Sequence, residues 1–231
     1  MPTPRQFATY AIFSARMAVR PAERRHLLRW IWSLRPDALM RNPTPWLVFD
    51  AISYLDRIDM RGWRIFEYGS GGSTLYWLRR GAHVTSIEND AAWYERLRRF
   101  MPADTTIDYR LVLPEPMLPP LVNPDPADPT AYISVHYPQD GLSYQHYVTQ
   151  IDSCADDSLD VVLVDGRART SCLAHAAPKV RSGGLLILDN SDRAYYTSRN
   201  GATLNTYKPI VFTGAVPLVP VFSQTTIYVR A

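Results

Sequence analysis

One short stretch limits the folds open to this chain more than any other: an apolar run that leads straight into a cluster of glycines. Residues 64–68 have the composition of a strand, residues 69–72 contain three glycines, and residues 73–80 follow with a helical pattern. Glycines at such a turn allow the backbone to bend tightly and to approach a ligand closely. This order predicts an open α/β sheet that binds a ligand beyond the carboxyl ends of its strands.

After this unit the chain alternates between short apolar runs and helical patterns. The predicted strands are residues 64–68, 83–88, 106–113, 159–164, 185–188, 209–213 and 223–229; the predicted helices between them are residues 73–80, 91–100, 144–154 and 170–180, the last of which is expected to end at residues 182–184. Such alternation predicts an α/β fold, with a doubly wound, mostly parallel seven-stranded sheet and helices on both faces.

Residues 1–45 form a predicted N-terminal helical extension. Residues 6–35 have a helical pattern that breaks near Pro21, and a proline-rich linker follows. The remaining residues, 46–231, have the length of one α/β domain. Within that domain residues 114–131 hold seven prolines, which exclude helix and central strand and predict a long loop.

Charge and cysteine content restrict the class of protein. The net charge is only +3, but residues 1–41 hold eight arginines against two acidic residues. With two cysteines, Cys154 and Cys172, a disulfide scaffold is excluded, and no Cys/His cluster has the spacing of a zinc site. No apolar run approaches the roughly 18–20 residues of a membrane span. We therefore expect a cytoplasmic protein with a basic N-terminal region.

The second predicted strand ends in an acidic residue, Glu88, nineteen positions after Gly69. A carboxylate there can accept two hydrogen bonds from the diol of a ribose, so the glycine loop and Glu88 together predict a nucleotide-like cofactor. The NAD fingerprint Gly-x-Gly-x-x-Gly requires a third glycine where this chain has Thr74, which argues against NAD.

Four segments resemble bacterial class I S-adenosylmethionine-dependent methyltransferases of undefined substrate. They run from Arg64 to Trp77, from Val84 to Tyr94, from Val164 to Cys172 and from Gly183 to Arg193. With residues 225–228, they extend the resemblance over residues 45–231. The resemblance implies a seven-stranded sheet with a reversed last strand, and S-adenosylmethionine as the cofactor.

The resemblance also implies which residues hold that cofactor. An acidic residue two positions before the first glycine, here Glu67, would meet the positively charged methionine end. The full candidate set consists of Glu67, Tyr68, Gly69, Ser70, Gly71, Ser73, Glu88, Asn89 and Asp165.

Acidic and amide side chains follow two neighbouring strands: Asp165 ends one, and Asp189 and Asn190 end the next. Their oxygen atoms suit Mg²⁺ or Ca²⁺. Their order is similar to the metal triad of catechol-type O-methyltransferases, which implies a cation that holds two oxygens of a diol. That family has a lysine where this chain has Ala168. In the alternative interpretation Asp165 contacts cofactor or substrate, and Asp189 and Asn190 cap the following turn.

Three arginines, Arg167, Arg169 and Arg193, follow the same strand ends. Arginine forks suit carboxylates and phosphates, so they predict either an anionic substrate or a charge network that holds the aspartates, of which the network is favoured. Asp165 and Arg167 are the candidate catalytic residues.

Three functions are compatible with these patterns. The favoured one is methyl transfer from S-adenosylmethionine to an oxygen of a small molecule, with Asp165 or a bound cation helping to remove the hydroxyl proton. A nucleic-acid methyltransferase would use the basic N-terminus on phosphates, but the low net charge and the lack of an Asn/Asp-Pro-Pro-aromatic motif argue against it. A non-enzymatic module would dock its N-terminal helices on a partner protein or an anionic membrane surface.

Overall fold

The computed structural model describes residues 4–102, 105, 107–119, 123–135 and 141–231. Residue 106 of the third predicted strand, residues 120–122 of the Pro-rich insertion and residues 1–3 of the N-terminal extension lie outside the described residues. None of the helices in the described part is long and apolar enough to cross a membrane.

Seven strands form one sheet. They are β1 (Arg64–Tyr68), β2 (His83–Glu88), β3 (Ile107–Leu111), β4 (Leu159–Val164), β5 (Val180–Asp189), β6 (Tyr207–Ala215) and β7 (Phe222–Arg230). The order across the sheet is β3-β2-β1-β4-β5-β7-β6. Strands β1 to β5 pair in parallel, whereas β7 runs antiparallel to both of its neighbours. The predicted mostly parallel sheet with a reversed last strand is confirmed.

Helices precede and connect these strands. They are α1 (Pro4–Val19), α2 (Pro21–Arg24), α3 (Leu27–Ser33), α4 (Ala38–Arg41), α5 (Phe49–Leu55), α6 (Gly72–Arg79), α7 (Ala91–Arg98), α8 (Gln145–Val148), α9 (Arg169–Ala176) and α10 (Gly201–Leu204), with short 3-10 turns at Thr149–Ser153, Ala177–Lys179 and Ala194–Tyr196. The break between α1 and α2 confirms the interruption expected near Pro21.

Each face of the sheet carries its own hydrophobic cluster, because successive strand residues point in opposite directions. Val161 of β4 belongs to a cluster with Trp30 of α3 and Trp77 of α6. The next residue, Val162, belongs to a second cluster with Tyr147 of α8. Helices therefore cover both faces of the sheet, as predicted.

The N-terminal helices pack into the same core as the sheet. Trp30 is fully buried, and its indole N–H donates to the carbonyl oxygen of Val219 at 3.0 Å. The buried carboxylate of Glu23 accepts a hydrogen bond of 3.0 Å from the N–H of Ala215. These contacts join the extension to the β6–β7 end of the sheet, and the division at residues 45 and 46 stays a prediction.

The described part of the Pro-rich insertion, residues 114–119 and 123–131, contains no helix, as predicted. Its strand-like residues Glu115–Pro116 pair antiparallel with Leu142–Ser143. Farther along, the carbonyl oxygen of Pro126 accepts a hydrogen bond of 2.8 Å from the hydroxyl of Thr170 in α9. The insertion is thus held beside the start of α9.

The expected boundary between α9 and β5 is wrong. Helix α9 ends at Ala176, and β5 begins at Val180, so residues 182–184 lie inside the strand. Pro178 cannot donate a backbone hydrogen bond and ends the helix early. Gly183 has φ +72°, and the pairing of β4 with β5 shifts register nearby. The two glycines mark an irregularity in the ladder rather than a turn.

Candidate active site

A cavity of about 700 Å³ opens at the carboxyl ends of β1, β2, β4 and β5, within the range of roughly 300–1,000 Å³ typical of small-molecule sites. Of the sequence-predicted residues, Gly69, Ser70, Gly71, Ser73, Glu88, Asn89, Asp165, Arg167, Asp189 and Asn190 line this cleft. Residues from separate parts of the chain are thus gathered at one edge of the sheet, as expected for parallel strands.

The glycine loop lies against the segment that follows β4. Gly69 has φ +88°, in the left-handed region, and a Cβ at this position would lie 2.8 Å from the Cα of Gly166. Only glycine fits there. Gly71 differs, because its φ is 172° and nothing lies within 4 Å of the place where a Cβ would stand. The backbone of Gly71 therefore leaves room for a ligand to approach.

Glu88 faces the glycine loop from the end of β2. Its Oε2 accepts hydrogen bonds from the N–H and the hydroxyl of Ser70, at 3.1 and 2.6 Å. Its Oε1 accepts from the N–H groups of Asn89 and Asp90, at 2.8 and 2.9 Å. These donors compensate the burial of the carboxylate and fix its orientation. The hydroxyl of Ser70 thus donates to Oε2 of Glu88, an acceptor that a ligand hydroxyl could also use.

The two aromatic residues at the start of α7 have different surroundings. Trp93 lines the cleft, and its indole N–H donates to the carbonyl oxygen of Ser70 at 2.8 Å. Tyr94 instead stacks on Tyr109, with ring centroids 4.2 Å apart. Trp93 thus presents its ring system to a ligand, while Tyr94 supports β3.

Glu67 lies beneath the glycine loop rather than on the cleft lining. It is fully buried, and its carboxylate accepts hydrogen bonds from Thr74 at 2.5 Å, Ser86 at 2.8 Å and Trp77 at 3.3 Å. Burial raises the pKa of Glu67 to about 7, although these hydrogen bonds act to lower it. Its direct contact with the methionine end of a cofactor stays a prediction; in the structure Glu67 connects β1, β2 and α6.

Tyr68 also lies away from the cleft lining. Its side chain is fully buried, and its hydroxyl donates to the carbonyl oxygen of Val148 at 2.5 Å. The side chain therefore anchors α8 to β1, and a contact between Tyr68 and a cofactor stays a prediction.

Arg169 joins two carboxylates at the ends of β4 and β5. Its Nη2 donates to Oδ1 of Asp165 at 2.9 Å, and its Nη1 lies 4.0 Å from Oδ2 of Asp189. Burial, followed by the charge of Asp189, raises the pKa of Asp165 well above its ordinary value, and Arg169 opposes the shift. Burial likewise raises the pKa of Asp189. Asp165 is therefore a stronger base than an ordinary aspartate.

The residues of the predicted magnesium site do not fit a divalent cation. The guanidinium of Arg169 already supplies the positive charge between Asp165 and Asp189. Asn190 directs its amide nitrogen, not its oxygen, toward Oδ2 of Asp189 at 2.8 Å and toward Ser223 at 3.1 Å. Among the described residues no group of three or more His, Cys, Asp or Glu side chains is arranged to hold a metal.

The three arginines of this edge have different partners. Arg169 contacts Asp165 and Asp189, and Arg193 donates a hydrogen bond of 2.8 Å to the hydroxyl of Tyr196. In the part of the chain that the structure describes, no hydrogen bond or ion pair engages the side chain of Arg167, which lines the cleft. The favoured charge network thus describes Arg169, whereas Arg167 is available to a ligand.

Sequence reasoning missed two further walls of the cleft. One is residues 35–40 with Trp46, and the other is the loop of residues 216–221 between β6 and β7. Asp37 forms an ion pair of 2.5 Å with Arg96 of α7 across the cleft. These contacts depend on how the N-terminal helices pack on the sheet, and no local motif or periodicity signals them.

No family profile and no curated protein sequence matches this chain. Among solved structures, it is similar to the 1,6-didemethyltoxoflavin-N1-methyltransferase of Burkholderia thailandensis with bound 1,6-didemethyltoxoflavin and S-adenosylhomocysteine, at 14% identity and a TM-score of 0.47 over 100% of this chain and 92% of that one. It is similar to a methyltransferase-like protein from Silicibacter pomeroyi, at 22% identity and a TM-score of 0.47 over 81% and 90% of the two chains. It is also similar to the geranyl diphosphate C-methyltransferase of Streptomyces coelicolor in complex with Mg²⁺, geranyl diphosphate and S-adenosylhomocysteine, at 13% identity and a TM-score of 0.45 over 79% and 77%.

The sheet itself assigns the fold. The sheet has the order β3-β2-β1-β4-β5-β7-β6, and its seven strands with β7 reversed are what the resemblance in the sequence implies. The chain therefore has the seven-stranded fold of class I S-adenosylmethionine-dependent methyltransferases.

Proposed function

We propose that this chain is an S-adenosylmethionine-dependent methyltransferase that methylates an oxygen of a small molecule. One observation carries the proposal: Glu88, a carboxylate at the end of β2, contacts the glycine loop in a cleft that is also lined by a second carboxylate, Asp165. Glu88 beside the glycine loop suits the ribose of a nucleotide-like cofactor. Asp165 is placed to act as a base for an acceptor hydroxyl.

The residues of the cleft fit this cofactor. Glu88 would accept hydrogen bonds from the ribose hydroxyls once the hydroxyl of Ser70, which also contacts Tyr109 at 2.8 Å, turns aside. Trp93 offers an aromatic surface. The open space at Gly71 allows close approach of the backbone.

When bound, S-adenosylmethionine supplies a methyl group whose bond to sulfur breaks as the bond to the acceptor oxygen forms in line. Asp165 takes the proton that the acceptor hydroxyl loses. Its raised pKa suits this role, and its hydrogen bond to Arg169 holds the carboxylate in place. Positioning of the acceptor against the methyl group accounts for most of the rate enhancement.

Two measurements on the full chain test this proposal. Isothermal titration with S-adenosylmethionine and with S-adenosylhomocysteine is expected to show binding of both. Transfer of a radiolabelled methyl group to a panel of small phenols and alcohols is expected to be lost in Asp165→Asn while S-adenosylhomocysteine still binds. No binding of either cofactor form would contradict the cofactor assignment, and an unchanged Asp165→Asn would contradict the role of this carboxylate.

A nucleic-acid acceptor is not supported by the N-terminal arginines. Arg25 and Arg29 form ion pairs with Asp50 and Asp56. The guanidiniums of Arg16 and Arg20 lie over the ring of Phe222. Side chains held in this way contribute less to a phosphate-binding surface. Electrophoretic mobility shifts with RNA and DNA at low salt are expected to be absent, and a salt-dependent shift would reopen this alternative.

We also propose that exposed side chains of α1 contact an anionic membrane surface. We further propose a cytoplasmic location, which agrees with the free state of Cys154 and Cys172. Phe7, Ile12 and Val19 are 70%, 62% and 78% exposed on α1, and Arg5 is exposed on the same helix. Cosedimentation with phosphatidylserine vesicles is expected for the full chain. The double variant Phe7→Ser, Ile12→Ser is expected to stay in the supernatant; equal sedimentation of both would contradict the proposal.

A further inference from the structure

We propose that the methyl acceptor carries an anionic group, a carboxylate or a phosphate, and that Arg167 binds this group. The inference rests on the proposed function, because it names the class of substrate that the same cleft takes.

The first step concerns how the charges of the cleft are paired. Asp37 pairs with Arg96, Glu88 accepts hydrogen bonds from Ser70, Asn89 and Asp90, and Asp165 and Asp189 share Arg169. Two guanidiniums of the cleft, those of Arg35 and Arg167, have no hydrogen bond or ion pair with any described residue. The cleft therefore offers two positive groups to its ligands.

The second step separates these two arginines by their position. Arg35 belongs to the N-terminal segment that packs on the glycine loop, where a Cβ at Gly72 would lie 2.8 Å from the carbonyl oxygen of Leu39. This location suits the carboxylate of the cofactor's methionine end. Arg167 belongs to the segment that follows β4, two residues after Asp165, the proposed base for the acceptor. Arg167 is therefore the arginine placed for the acceptor.

The third step concerns how the backbone fixes Arg167. The next residue, Ala168, has φ +46° and forms the left-handed turn before α9. The carbonyl oxygen of Arg167 accepts a hydrogen bond of 3.3 Å from the buried thiol of Cys172. The side chain lines both the cleft and a smaller recess beside the Pro-rich insertion. A guanidinium whose backbone is held at such a junction can present a planar pair of donors to a carboxylate or a phosphate.

Another wall of the cleft is apolar. Trp46 and three valines of the β6–β7 loop, Val216, Val219 and Val221, line it. Leu218 in the same loop is held by a hydrogen bond of 2.9 Å from its N–H to the hydroxyl of Ser33. The wall is thus fixed and suits an apolar or aromatic body. The acceptor class is a small amphipathic acid that carries a hydroxyl group.

The test uses simple probes on the full chain saturated with S-adenosylhomocysteine. Benzoate, hexanoate and phenyl phosphate are compared with benzamide, hexanamide and phenol by saturation-transfer NMR and by isothermal titration. The variants are Arg167→Gln and, as the matched control, Arg35→Gln, which removes the other unpaired guanidinium of the cleft. Thermal unfolding confirms that each variant is folded.

We expect the wild type to bind the anions about tenfold more tightly than their neutral counterparts, because charge-assisted hydrogen bonds to arginine are among the strong ones. Arg167→Gln is expected to abolish this preference, and Arg35→Gln to retain it. Equal binding of anions and neutral probes by the wild type, or a preference that Arg35→Gln rather than Arg167→Gln removes, would overturn the inference.

A second comparison tests whether Arg167 binds the cofactor instead of the acceptor. 5′-Methylthioadenosine lacks the methionine carboxylate of S-adenosylhomocysteine. If Arg167→Gln weakens S-adenosylhomocysteine but not 5′-methylthioadenosine, Arg167 binds the cofactor and the inference is wrong. If the wild type does not bind S-adenosylhomocysteine at all, the proposed function itself fails, and this outcome is distinct from a loss of anion preference alone.

Discussion

Nη2 of Arg169 donates a hydrogen bond of 2.9 Å to Oδ1 of Asp165, and this pair fixes a guanidinium between the carboxyl ends of β4 and β5. A cluster of acidic residues that suggests a metal site in the sequence is thus neutralised by a side chain of the chain itself. The consequences for stability, for metal binding and for cofactor binding can each be measured.

Arg169→Met is expected to destabilise the protein strongly. The change leaves the buried carboxylate of Asp189 and the partly buried carboxylate of Asp165, whose side chain is 20% exposed, without their counter-charge. The expected cost is about 3 kcal/mol, the lower end of the range for breaking a buried ion pair. The loss is expected to be smaller at acidic pH, where protonation of the carboxylates removes the uncompensated charge. Urea unfolding at several pH values measures the effect.

Arg181→Met, which removes a half-exposed partner of Asp160, is the control and should cost about 1 kcal/mol or less. Equal losses in the two variants would contradict the account.

Magnesium is expected to leave the melting temperature of the wild type unchanged. A ligand that binds only the folded state stabilises it by RT ln(1 + c/Kd), where c is the free ligand concentration, so the melting temperature rises once this concentration exceeds Kd. Arg169 fills the place between the two carboxylates. Differential scanning fluorimetry over a magnesium titration checks this. A rise that increases with the magnesium concentration and that Asp189→Asn removes would show that a metal displaces the guanidinium.

Glu67 is expected to make stability fall as the pH rises from about 4.5 to about 7. Burial raises its pKa from 4.5 to about 7 in the folded protein, so over this range the folded state binds a proton that the unfolded chain releases. The difference between wild type and Glu67→Gln should therefore change by about 3 kcal/mol across the range. Chemical unfolding at closely spaced pH values measures it, and parallel curves for the two proteins would refute the assignment.

Two glycines of the loop are expected to respond differently to alanine. Gly69→Ala should destabilise the protein by about 2–3 kcal/mol, because the residue has φ +88° and its Cβ would meet Gly166. Gly71→Ala should leave stability within about 0.5 kcal/mol, since its backbone is extended and the space is open. The same variant should weaken S-adenosylhomocysteine binding, because the added methyl group blocks the approach of the ligand to the backbone. Wild-type affinity in Gly71→Ala would contradict that approach.

Local pattern predicts the central part of the fold well. The strands expected at residues 64–68, 83–88 and 159–164 coincide with β1, β2 and β4. These strands are short and apolar, and each is bounded by a turn or a helix start. The boundary before β5 was missed, because the sequence does not show whether paired glycines end a helix or distort a strand.

The residues of the candidate site also differ in whether local sequence patterns predict them. Glu88 and the loop at Gly69 could be identified because a strand end and a turn fix their positions locally. The place of Arg169 between Asp165 and Asp189 could not, since it depends on the angle at which α9 leaves β4. The wall formed by Asp37 and Arg96 depends on packing between residues distant in the chain, which no motif records.

The binding of S-adenosylhomocysteine to the wild type and to Glu88→Gln tests the central claim most directly. Glu88→Gln keeps the size of the side chain but removes the charge that would accept the ribose hydroxyls, and about a tenfold to hundredfold loss of affinity is expected. Ser70→Ala removes only the hydroxyl that occupies Oε2, and its affinity should stay close to that of the wild type. Isothermal titration should show one site per chain. No heat of binding with the wild type, or equal affinity in Glu88→Gln, would contradict the assignment of this cleft to S-adenosylmethionine.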